Sequence, residues 1–198
     1  MRKLLAAVLL AAAMVAPAFA AEKGSMEIDG KLGLLFSPKL TMEARGESHD
    51  VSFDTAFSLG ADFFCYVDPK VALGFGLEYA MQSESEKEDG ESMKLGSTNL
   101  FVQAKYNFDL NDDTINTIYP IAQLGYGILS TGGSAADHFD IDNGLYWGIG
   151  AGMVIKQNFL VELLYSFNYG SFDVKGAPIS GDITYKAFKL KVGYKFSI

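Results

Sequence analysis

The chain has one cysteine, Cys65, and only two histidines, His49 and His138. A lone cysteine excludes an internal disulfide and a Cys-based metal cluster; Cys65 reads as a strand residue facing apolar surroundings. Basic residues are in short supply, with 16 Lys and Arg against 24 Asp and Glu. That balance argues against nucleic acid as a partner, because phosphate binding needs a basic footprint. Beyond residue 20 there is no convincing amphipathic helix, and no apolar run long enough to span a membrane as a helix.

The single long apolar run stands at the beginning. Arg2 and Lys3 precede the apolar residues 4–15, followed by Pro17 and Ala18-Phe19-Ala20. A charged start, an apolar middle and an A-x-A site predict a secretory signal peptide over residues 1–20, cleaved after Ala20. The run is shorter than the roughly 20 residues a spanning helix needs. Residues 21–198 then form one domain with 14 basic and 24 acidic residues, a formal net charge of −10.

What fills that domain is alternation. Ile28, Leu32, Leu34 and Phe36 share one parity, as do Phe53, Phe57, Leu59, Ala61 and Phe63. The pattern repeats in Val71–Met81, Leu100–Phe108, Ala122–Ile128, Leu145–Ile155 and Phe159–Tyr169. It ends on "FKLKVGYKFSI", where Phe188, Leu190, Val192, Tyr194 and Phe196 oppose Lys189, Lys191, Gly193 and Lys195. Successive side chains of a strand point to opposite faces, so this is the mark of about eight strands. Long polar breaks (37–52, 83–94, 131–142, 171–182) take turns with shorter ones at 68–70, 109–117 and 156–158. One end of the sheet therefore carries loops and the other carries turns, the asymmetry of outer-membrane barrels.

The polar parity is small, with Gly74 and Gly76, Gly125 and Gly127, and Gly148, Gly150 and Gly152. Such residues suit a crowded lumen better than the solvated outer wall of a lipocalin-type barrel. The "GIGAG" of residues 148–152 lies inside a strand pattern, whereas a nucleotide-binding glycine loop needs a strand-to-helix turn. Tyr66, Tyr106, Phe108, Tyr119, Phe159, Tyr194 and Phe196 gather near strand ends and are expected to form the turn-side aromatic girdle. The predicted fold is all-β: a closed antiparallel transmembrane β-barrel of about eight strands, with long extracellular loops and short periplasmic turns.

On these features the sequence resembles the small eight-stranded outer-membrane barrels, the OmpA-like, OmpX-like and opacity-type surface proteins. The resemblance extends over the whole of residues 21–198 and rests on architecture and the end signal. It implies a location in the outer membrane of a Gram-negative-type bacterium, among outer-membrane lipids. It also implies that Tyr194-Lys195-Phe196, followed here by Ser197 and Ile198, is the signal read by the barrel-assembly machinery.

The inward parity carries charge of both signs: Asp29, Lys31, Asp62, Glu78, Lys105, Glu162, Lys189, Lys191 and Lys195. Facing outward, a mid-bilayer lysine would cost roughly 2–4 kcal/mol; facing inward, these groups can pair. A symmetric last hairpin pairing Gly170 with Ile183 places Glu162 across from Lys191, and a salt bridge between those two is expected within a lumenal charge network. The acidic run 83–94 lacks a calcium-loop spacing, and no cofactor or metal is expected. His138 has Asp140 at the position where lipid A deacylases carry a serine, so no enzyme is expected. The function read from the sequence is structural, adhesive or surface display, with loops meeting a host or surface ligand. A narrow porin-like channel is the first alternative and a lipid-modifying enzyme the second.

Overall fold

The computed structural model describes residues 22–44, 46–85, 93–110, 112, 114–133, 139–176 and 180–198. Residues 1–20, read as the signal peptide, lie outside them, as do His138 and most of the acidic run 83–94. Every regular element among the described residues is a strand: β1 (Met26–Ala44), β2 (Glu47–Ser52), β3 (Ala56–Asp68), β4 (Val71–Glu84), β5 (Lys94–Tyr106), β6 (Phe108–Asp109), β7 (Ile115–Gly132), β8 (Phe139–Asp142), β9 (Gly144–Ile155), β10 (Phe159–Val174) and β11 (Ser180–Ser197). Eight of these form a ring in the order β1-β3-β4-β5-β7-β9-β10-β11, and β11 pairs antiparallel with both β10 and β1. Closure removes the sheet edges, which a bilayer does not tolerate because it offers no water to unpaired backbone groups.

The two faces of this wall are inverted relative to a protein that lives in water. Leu32, Phe57, Leu100, Val102 and Ile149 point outward and are each 58–62% exposed. Asp29, Glu78, Glu162 and Lys189 point inward and are at most 1% exposed. An apolar face this large and continuous has lipid as its solvent. The terminal strand follows the same rule, with Phe188 and Val192 outside and Lys189 and Lys191 buried.

On the turn side, short connections close the hairpins. Asp68 Oδ1 accepts the N–H of Lys70 at 3.0 Å, and Lys156 and Gln157 take φ of +46° and +71° between β9 and β10. Asp112 accepts from the N–H groups of Ile115 and Thr114, and these bonds hold its carboxyl below the ordinary range.

The loop side departs from expectation. Much of the sequence read there as polar break continues as strand: β1 runs on to Ala44 and returns as β2, β10 extends to Val174, and β11 starts at Ser180. The cause in β1 is a bulge between Phe36 and Lys39, with Ser37 at φ +41°. The inserted residue shifts the parity, so that Leu40 turns inward and is fully buried. Leu40 joins Phe53, Met93, Leu95, Leu129, Phe172, Ile183 and Tyr185 in an apolar core at the loop end. Phe53, grouped by parity with the lipid-facing residues of β3, lies before that strand and belongs to this core instead. A second apolar cluster, including Phe64, Tyr66, Tyr119, Ile121 and Leu164, fills the turn end of the lumen.

Candidate functional site

Between the two apolar clusters the lumen is lined by charge. Of the nine inward charged residues singled out from the sequence, eight, Asp29, Lys31, Asp62, Glu78, Lys105, Glu162, Lys189 and Lys191, are buried, and Lys195 is half-buried. They form three groups. In the first, Lys31 Nζ donates to Asp62 Oδ2 at 2.6 Å and to Glu162 Oε1 at 2.7 Å. The Tyr119 hydroxyl donates to the same Glu162 oxygen at 2.8 Å. In the second, Glu78 ion-pairs with both Lys189 and Lys191. In the third, Glu27 pairs with Lys105, accepts from the Tyr66 hydroxyl at 2.6 Å and has Lys195 at 4.0 Å. The Lys105 ammonium also sits 3.9 Å from the centre of the Phe64 ring, a favourable cation–π distance. Buried charges persist only when paired, and here nearly every one is.

The register of the last hairpin is as expected, with Gly170 opposite Ile183 and Glu162 opposite Lys191. The expected salt bridge between that pair is replaced by others: Glu162 binds Lys31 of β1, and Lys191 binds Glu78 of β4. Residues directly opposite on adjacent strands point into the lumen side by side. Their long side chains run inward, where groups from more distant strands of the wall come within reach.

Asp29 is held more loosely, by an ion pair with no hydrogen bond. It lies directly opposite Asp62, is fully buried, and neither carboxylate oxygen accepts a hydrogen bond; its nearest cation is Lys31 at 3.4 Å. Like charges facing each other across a ladder are destabilising. Asp29→Asn should therefore stabilise the barrel by about 0.5–1 kcal/mol, read from the urea midpoint of the protein folded in lipid vesicles. A lowered midpoint would show that Asp29 has a supporting role.

The glycines of the lumen make room for rings. A Cβ on Gly152 would stand 2.5 Å from Tyr119 Cζ, and one on Gly76 would stand 2.5 Å from Phe101 Cε2. Each clash involves a bulky inward side chain, so the glycine rows of β4 and β9 serve packing, as their spacing suggested. The gap bounded by Lys31, Ser58, Asp62, Glu78 and Lys191 has no room for a water molecule.

A family model for the outer membrane protein beta-barrel domain matches residues 5–196. The chain belongs to that family. Among solved structures it is similar to the outer membrane protein AlkL in lipid bilayers, at 14% identity and a TM-score of 0.52, covering 92% of this chain and 94% of that one. OprG from Pseudomonas aeruginosa is similar at 13% identity and a TM-score of 0.49, covering 90% of this chain and 98% of that one. Neisserial surface protein A is similar at 16% identity and a TM-score of 0.49, covering 86% and 97%. At these identities the likeness concerns the fold. No curated protein matches the chain.

Several lumenal residues of this outer-membrane barrel escaped the sequence reading. Glu27 shares the inward parity of Asp29 and Lys31 and is 1% exposed; the same parity would have found it. Tyr66 and Tyr119, expected in the outer girdle, are 4% and 1% exposed and hydrogen-bond inside. Parity again carries the signal, since Tyr66 falls in step with Asp62 and Tyr119 with Gln123; proximity to a strand end misled. The amides Gln103 and Gln123 continue the lining, joined at 3.0 Å, with the Tyr146 hydroxyl donating to Gln123 at 2.7 Å. The girdle keeps Tyr106, Phe108 and Phe159 on its outer face. Phe159 meets the ring of Tyr194 edge-on at 5.5 Å, and Tyr194 meets Phe196 at 4.8 Å.

Proposed function

We propose that this protein is a plugged, non-conducting barrel in the outer membrane of a Gram-negative-type bacterium, with a structural and interactive role carried by its loop end. The observation that supports this reading is the filling of the lumen: ion pairs span it, and apolar clusters occupy both ends. An eight-stranded barrel has an interior just wide enough for its own side chains. Charge supports the same reading. The lumen carries five acidic residues (Glu27, Asp29, Asp62, Glu78, Glu162) and five basic ones (Lys31, Lys105, Lys189, Lys191, Lys195) and is neutral. The loop-side residues 37–55, 83–94, 131–143 and 171–186 hold 14 acidic and 6 basic residues. A surface of that sign favours adhesion partners with basic patches and repels acidic ones. On this reading Tyr194 and Phe196 of the closing strand are what the assembly machinery recognises, and outer-membrane lipids are the permanent neighbours.

The mature chain refolded into a planar bilayer should show no discrete single-channel conductance, with heat-shifted gel mobility confirming that the barrel is folded. Stepwise conductance that disappears on substitution of Glu78 or Lys105 would replace this reading with a narrow pore.

A further inference from the structure

On the outer wall, one row of the sheet combines two aromatic and two cationic residues. Trp147 lies opposite Phe167, Phe167 opposite Lys186, and Lys186 opposite Lys39, across β9, β10, β11 and β1 in turn. The alternation of burial puts all four on the outward face. Trp147 stacks on Phe167 with ring centres 4.2 Å apart and planes 14° from parallel. The next outward row toward the turns is apolar and aromatic, with Ile149, Tyr165, Phe188 and Phe36 aligned. The next toward the loops is polar on β11, β1 and β2, with Thr184, Thr41 and Asp50.

The height of this row follows from strand geometry. Phe167 is eight positions along β10 from Phe159 of the turn-side girdle. For a strand tilted as in outer-membrane barrels this is roughly 20 Å along the membrane normal. The apolar band of such barrels is about 25 Å tall, so Phe167 sits near its outer edge, and strand tilt carries Lys186 and Lys39, farther from the turn ends of β11 and β1, up to the headgroups.

Two lysines facing each other across a ladder repel. Asp50 answers one of them: its carboxylate meets Lys39 Nζ at 2.7 Å and accepts from Thr41 Oγ1 at 2.7 Å. Hydrogen bonds from Lys39 and Thr41, with the nearby charge of Lys186 as a smaller cause, hold the Asp50 carboxyl below its ordinary range. Lys186 has no carboxylate within ion-pair distance among the described residues. The local balance is one excess positive charge beside a stacked aromatic pair, on a loop end that is otherwise acidic.

We infer that this row binds the headgroup of a phosphorylated saccharolipid of the outer leaflet. Lys186 and Lys39 receive one phosphate between them as point-charge donors. The Trp147–Phe167 stack lies against the sugar ring, and Phe188 and Phe36 below it line the path of the first acyl chain. The position on the lipid-facing wall commits the site to a membrane lipid over a soluble phosphate. The inference rests on the barrel's orientation and not on whether its lumen conducts.

The test uses the mature chain folded in bilayers of phosphatidylethanolamine with lipid A, dephosphorylated lipid A or phosphatidylglycerol, extracted in mild detergent and weighed intact with its bound lipid. One lipid A should be retained, about tenfold more than the dephosphorylated form, the scale of a charge-assisted hydrogen bond. Lys39→Gln/Lys186→Gln should abolish the preference and Lys39→Arg/Lys186→Arg keep it. Trp147→Leu should weaken lipid A retention, and Lys70→Gln on the turn side should leave it unchanged. Heat-shifted mobility checks that every variant is folded. Equal retention of both lipid A forms, or a preference that survives the double glutamine variant, overturns the site. Retention of phosphatidylglycerol as strong as that of lipid A overturns its assignment to a sugar phosphate.

Discussion

Lys31→Met should lower the stability of the folded barrel by about 3–5 kcal/mol, the cost of removing one partner from a buried ion pair. Lys31 is 4% exposed and stands against three carboxylates, Asp62 at 2.6 Å, Glu162 at 2.7 Å and Asp29 at 3.4 Å. Methionine nearly preserves its length and volume, so the loss comes from stranding three buried anions and not from a cavity. Urea unfolding in lipid vesicles, followed by the fluorescence of Trp147, reads the effect; Trp147 is the single tryptophan in the chain. The compensated variant Lys31→Met/Asp29→Asn/Asp62→Leu/Glu162→Leu, which removes all three stranded anions, should recover most of the lost stability, because well-packed apolar replacements for a buried ionic group are often neutral or better. A single substitution costing less than about 1 kcal/mol, the range of an exposed pair, would mean that water reaches the site and that the plug is open.

Phe172→Ala should cost about 3–5 kcal/mol, but in a different part of the molecule. Phe172 is 4% exposed and packs in the loop-end core with Leu40, Leu129 and Ile183. Among the described residues β2 pairs only with β1, and β8 only with β10, so both depend on that core more than on the closed ring. Hydrogen exchange should therefore rise over β2, β8 and the upper ends of β10 and β11. The ladders around Lys31 and Glu78 should keep their protection, and the heat-shifted mobility of the barrel should persist. Local opening with an intact remainder is what a separate packing unit produces. Uniform loss of protection throughout the barrel would show instead that the loop-end core and the charged lumen unfold as one unit.

The two substitutions probe levels of organisation that were not equally legible. The lumenal position of Asp29, Lys31, Asp62, Glu78, Lys105, Glu162, Lys189 and Lys191 could be read from alternation, since a strand allows only two directions and the apolar parity claims one. The placement of Tyr66 and Tyr119 was equally available by that rule and was lost to a second one, that aromatics near strand ends face the interface. Their hydroxyls decide the matter, because each finds a buried carboxylate, Glu27 for Tyr66 and Glu162 for Tyr119. The loop-end core was hidden more deeply. Leu40 is in step with the outward residues Ile28 to Phe36, and only the bulge at Ser37, with its positive φ, turns it inward.

By itself the sequence determined the number of barrel strands, the faces they present, the register of the last hairpin and the side that carries loops. These follow from local geometry, a period of two and the chemistry of turns, which neighbouring residues enforce on one another. Which lysine meets which carboxylate was decided only by the tertiary structure. Lys31 finds Glu162 from the far end of the chain, and Lys191 finds Glu78, because closing the ring brings side chains from non-adjacent strands together inside the lumen. The same closure sets Lys186 beside Lys39 on the outer wall: one belongs to the last strand and the other to the first, and they are neighbours only in a barrel that shuts.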